Sequence, residues 1–139
     1  MADPDDGSRR QARRAAVLLL YQEDLTGHPM AQIIDRHEQD AGRPLPAYAQ
    51  DLIDDVHGRG AALDGEIDEL AEGWSVERIA PVERAVLRVG LAELDREDPP
   101  AAVAIAEAVA LARRYASPEA GAFVNGILGA AARRRGTAR

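Results

Sequence analysis

PVERAVLRVGLAEL (81–94) is apolar round most of its helical circumference, since Val82, Val86, Leu87, Val89, Leu91 and Leu94 leave little polar face. Pro81 suits the first position of a helix, where a missing N–H leaves nothing unsatisfied, and Asp98-Pro99-Pro100 forms a firm break after it. A helix that is apolar all round belongs at the centre of a bundle. Glu93 falls at almost the same helical angle as Val82, Val86 and Val89, so its carboxylate is expected to be partly buried and therefore hydrogen-bonded or paired. Arg84 and Arg88 mark the one polar side of this helix, where they either face a partner or close salt bridges onto the rest of the chain.

Outward from this segment the pattern stays helical. Alanine supplies 28 of 139 residues and no stretch alternates in the manner of a strand. Towards the N-terminus, Trp74 to Ile79 predicts a short helical turn. Before it, Ala49, Leu52, Ile53, Val56, Leu63, Ile67 and Leu70 recur every three or four residues, predicting one long helix over 46–71 that Gly58, Gly60 and Gly65 weaken or bend. A short helix runs from Pro29 to Ala41-Gly42. The first helix is predicted to begin after Ser8, with Ser8 and Gln11 as a capping box, and to end at Thr26-Gly27. Towards the C-terminus, Ala101 to Tyr115 forms the sixth helix. Ser117-Pro118-Glu119 opens the last one, with Phe123, Val124, Ile127 and Leu128 inward. Seven helices with short connections predict an all-α fold, a compact bundle made of two small sub-bundles. The expected organisation is a disordered acidic tail over 1–8, one helical domain over 9–132 and a basic tail over 133–139.

Composition removes most kinds of catalysis. There is no cysteine, hence no disulfide, thiolate zinc site or thiol nucleophile. All 17 basic residues are arginine, which excludes a Schiff-base or P-loop lysine. His28, His37 and His57 have no metal-ligand spacing, and Ser8, Ser75 and Ser117 lack a nucleophile-elbow context. No catalytic residue, metal or cofactor is expected. Apolar runs are far shorter than the roughly 20 residues of a membrane span, and the first eight residues do not resemble a signal peptide, so a cytoplasmic location is expected.

The net charge of −7 hides a segregation. Residues 15–132 carry nine arginines against 21 acids, whereas residues 133–139 carry four arginines and no acid. Arg9, Arg10, Arg13 and Arg14 crowd the first two turns of the first helix, where the macrodipole opposes cations by roughly 0.3–1 kcal/mol each. At 100° per residue they span an arc of about 140°, with like charges repelling at 9/13 and 10/14. Guanidiniums placed against the local field point to an external anion, and phosphate suits their fork geometry. The alternative is a solvated face. Phe123-Val124-Asn125-Gly126 is unusual inside a helix: either Gly126 permits close packing, or Phe123 offers a stacking surface with Asn125 supplying donors and acceptors.

RRQARRAAVLLLY (9–21), YAQDLIDDVHGRGAALDGEID (48–68), PVERAVLRVGLAEL (81–94), AVAIAEAVALARRY (102–115) and FVNGIL (123–128) resemble the NusB family of bacterial transcription antitermination factors, in order and across nearly the whole chain. The resemblance implies two small helical bundles, no enzymatic activity, and binding of single-stranded boxA RNA from ribosomal operons. It implies NusE, a small-subunit ribosomal protein, as partner within an antitermination complex on RNA polymerase. Carried onto matching positions, Arg9, Arg10, Arg13 and Arg88 would contact RNA with Phe123 at the same surface, and Tyr21 and Glu83 would look towards NusE. The residue reading adds Arg14 and Asn125 to the RNA set and Arg84 to the partner set. Two departures stand out: Ala106 where the family often has asparagine, and Ala120 where it often has serine. A methyltransferase that carries the same helical module is expected to need a second domain beyond 139 residues. A protein–protein adaptor or homodimer whose arginines grip an acidic partner remains the other reading. Replacing Arg10 and Arg13 with glutamine is expected to weaken RNA binding and leave folding intact.

Overall fold

The computed structural model describes residues 5–136, all-α among those residues. Seven α-helices follow one another: α1 (Asp5–Thr26), α2 (Met30–Ala41), α3 (Ala47–Gly58), α4 (Gly60–Leu70), α5 (Pro81–Leu94), α6 (Ala101–Tyr115) and α7 (Pro118–Arg134), with a 3₁₀ turn at Val76–Arg78 between α4 and α5. The helix α5 is the hub. It packs against α1 and α3 on one side, where α2 also lies on α1, and against α6 and α7 on the other, with α4 bridging to α7. Two sub-bundles thus share the helix with the most continuous apolar surface, and nine of its residues, Ala85–Leu87 and Val89–Leu94, are buried. Leu52, Ile53, Leu63, Ile67, Leu87, Leu91 and Leu128 form the fully buried centre. Close approach of α5 and α7 depends on Gly90, where a Cβ would stand 2.7 Å from Leu128 Cδ1.

Three boundaries differ from those expected. Helix α1 already runs at Asp5, so Ser8 lies within it instead of capping it. The helix thus reaches into the expected tail. Residues 1–4 of that tail lie outside the described residues. The long helix over 46–71 is two helices, separated at Arg59 with φ −120° and ψ 20°. Both halves turn apolar residues to the same core, so the hydrophobic period continues across the joint. At the C-terminus α7 includes Arg133 and Arg134, and Arg135 is tied back into the bundle, so the expected basic tail begins later; residues 137–139 lie outside the described residues. The remaining signals match: Ser117 caps α7 by accepting from the Ala120 N–H at 3.0 Å, with Pro118 at the first position. Gly42 ends α2 at φ 72°, its N–H donating to the Glu38 carbonyl.

Candidate nucleic-acid interface

The four arginines of α1 divide into distinct environments. Arg13 shares a helical stripe with Val17 and Leu20, and all three are buried. The residue is 3% exposed, and its guanidinium forks onto Glu93, with Nε donating to Oε1 at 2.6 Å and Nη2 to Oε2 at 2.8 Å. The Tyr48 hydroxyl donates to Glu93 Oε2 at 2.5 Å, and Glu107 stands 3.6 Å from Arg13 Nη1. Burial alone would make the Arg13 guanidinium less basic, but its hydrogen bond and charge attraction to Glu93 outweigh that and raise its pKa. Burial and the bond to Glu93 push the Tyr48 hydroxyl up as well. Glu93 is therefore buried and paired as its position demands. The expectation that Arg13 lies on an exposed arc, free for an external anion, is corrected. The arc is a property of α1 alone, whereas the buried carboxylate opposite Arg13 is contributed by α5.

The other three reach the surface. Arg10 donates to Glu107 of α6 at 2.6 Å and Arg9 pairs with Asp98 of the α5–α6 connection. Arg9 also lies over the Tyr48 ring, 5.2 Å from its centroid. Arg14 has no carboxylate partner among the described residues. Arg10, Arg14 and Glu107 line one shallow groove of about 340 Å³ between α1 and α6.

Elsewhere the expected site residues fall in two further places. Arg88 forks onto Asp64 of α4 at 2.8 and 3.0 Å, and Arg84 holds Asp24 of α1 while donating to the carbonyls of Val76 and Glu77. Of the two readings of this pair, internal salt bridges describe what the fold does with them. Phe123 is half-buried and lines a groove with Glu83, Trp74 and Arg78, sharing no residue with the α1–α6 groove. Burial raises the Glu83 pKa. Trp74 is 51% exposed under the Arg78 guanidinium, 5.8 Å from the ring centroid. By sequence Trp74 belongs only to a short helical turn; an aromatic side chain in a polar turn, in a chain with so few aromatics, is the signal that marks it. Asn125 is exposed on α7, and Tyr21 is half-buried on the flank of α1. Ala106 is exposed and Ala120 is buried against the α7 cap.

Comparison with known proteins agrees with this architecture. The chain is 41% identical over 122 residues to the transcription antitermination protein NusB of Rubrobacter xylanophilus, covering 87% of each chain, and 37% identical over 123 residues to that of Thermobifida fusca, covering 88% of this chain and 87% of the relative. Among solved structures, the antitermination factors NusB and NusE in complex with dsRNA include a chain similar to this one, with a TM-score of 0.80 and 29% identity over 91% of this chain and 96% of the other. T. maritima NusB matches with a TM-score of 0.80 and 32% identity, covering 96% and 93%. The profile of the NusB family covers residues 10–133, and the chain belongs to that family of transcription antitermination factors.

Proposed function

We propose that this chain binds boxA-containing single-stranded RNA of ribosomal operons together with NusE, in an antitermination complex on RNA polymerase in the cytoplasm, and that it performs no covalent chemistry itself. The observation that carries this reading is the guanidinium row Arg9, Arg10 and Arg14 at the surface end of α1, held on a rigid helix in a chain of net charge −7. The NusB–NusE–dsRNA complex of a relative supports RNA as the class of ligand and NusE as the partner. Phosphates are taken by these three arginines, those at Arg9 and Arg10 in exchange for Asp98 and Glu107. Arg13 acts one layer beneath as a positioning residue. Phe123 and Asn125 receive bases, with Trp74 beside Phe123 enlarging the aromatic surface. Arg88 joins them where RNA displaces Asp64, and Tyr21, Glu83 and Arg84 face NusE.

The test is affinity for a boxA oligonucleotide, with and without NusE, in rising salt. The expected log–log slope is roughly −0.7 per phosphate neutralised on a single strand. Arg10→Gln and Arg14→Gln each weaken binding and reduce that slope by about one contact's share. Absence of binding both alone and with NusE refutes the proposal in favour of an adaptor or homodimer that grips an acidic protein.

A further inference from the structure

A second groove, of about 870 Å³, continues from the first along α1, between α1, the α2–α3 connection and the end of α6. Arg14, Arg43 and Arg114 line it, and none of its lining residues is Asp or Glu. That absence is informative in a chain with 24 acidic residues, because other arginines of the bundle, such as Arg59, Arg84, Arg88 and Arg135, are held by carboxylates. Arg43 and Arg114 are exposed, and like Arg14 they have no carboxylate partner among the described residues. Tyr21 and Tyr115 stand in the same wall, both half-buried, and the Arg114 guanidinium lies over the Tyr115 ring at 5.2 Å from its centroid. Arg14 and Arg114 line both grooves and so join the first, which holds Arg10 and Glu107, to the second, which holds Arg43.

From this geometry we infer that the Arg14–Arg43–Arg114 groove is a second RNA track, which holds single-stranded nucleotides flanking boxA by their phosphates and seats a base against Tyr115. Guanidiniums without internal counter-charges meet phosphodiesters at no cost of breaking a salt bridge, unlike Arg9 and Arg10. Paired tyrosine and arginine planes favour unstacked bases, which a duplex does not present. The inference rests on the proposed RNA binding and extends it from the boxA element to its flanks.

Its test compares the core boxA RNA with the same RNA extended at either end by about eight uridines, a length within the usual reach of one single-strand site. Binding is measured with NusE present, on the wild-type chain and on an Arg43→Gln variant whose melting temperature is recorded alongside, Arg43 being the one arginine that lines only the second groove. In the wild type, one extension tightens binding roughly tenfold and steepens the salt slope by about 1.4, two phosphates' worth. The variant binds core RNA as the wild type does, melts at the same temperature and gains about 0.7 less slope from the extension, one phosphate's worth. Equal wild-type affinity for core and extended RNA overturns the second track, as does a variant that weakens both RNAs equally. A wild type that fails to bind core RNA instead overturns the reading on which the inference rests.

Discussion

Arg13 and Glu93 are the residues at which charge and burial are most tightly bound together. Each alone in this interior would be an uncompensated ion, and the forked contact with the Tyr48 hydroxyl satisfies both. Removing one partner of such a pair costs about 3–5 kcal/mol, because the other is left buried and unpaired. Arg13→Gln therefore lowers the unfolding free energy by that amount, read as a fall in the denaturant midpoint at unchanged slope, and RNA binding at fixed folded concentration falls only as the helix end loosens. A variant as stable as the wild type would show that Glu93 finds another counter-charge. This reverses the expectation that relieving the helix dipole would leave folding intact. Half of the pair was legible: Glu93 on an apolar helix announces that it needs a partner. The identity of the partner was not, because Arg13 lies 80 positions away and sits among three other arginines of the same chemistry.

At the scale of elements, helices with a strong stop or start were readable from one or two residues. Ser117-Pro118 set the start of α7 and Pro81 that of α5, since capping and proline geometry act locally. The α3–α4 joint was not legible as a break, because hydrophobic periodicity records which face is buried and not whether the axis is continuous. At the joint Arg59 donates locally to Asp55 of α3 and across the fold to Asp95 beyond α5, a contact that no local pattern announces. Packing between elements is equally invisible until neighbours are known. Gly90 reads as a defect in a helix, yet it is where the Leu128 side chain of α7 enters α5. Gly90→Ala adds a methyl 2.7 Å from that side chain and is expected to destabilise by about 1–3 kcal/mol despite its better helix propensity. Thermal unfolding that shows a gain in stability would mean α7 can shift away without loss.

Across the whole molecule, carboxylates and guanidiniums form a belt that closes the bundle. Arg135 donates to Glu66 of α4 at 2.7 Å and to Asp95 at 2.6 Å, and Asp95 also receives Arg59 at 2.7 Å. Burial would raise the Asp95 pKa, but hydrogen bonds from Arg135 and Arg59 outweigh it and hold the carboxyl below its ordinary value. A carboxylate whose folded pKa is depressed contributes stability above its unfolded value of about 4, and that contribution disappears as pH falls through the lower folded value. Asp95→Asn should therefore melt lower than the wild type at neutral pH and converge with it in acid, measured by melting temperature between about pH 7 and pH 3. Parallel curves across that range would remove Asp95 from the acid response. The fold class and the basic first helix were readable from local pattern, whereas the belt and the acid-free groove depend on which distant segments meet. The position of Arg135 has a practical side: a chain trimmed after Arg134 would leave Glu66 without that guanidinium and Asp95 with Arg59 alone, so shortened versions made for binding work should keep Arg135 and place any fusion beyond it.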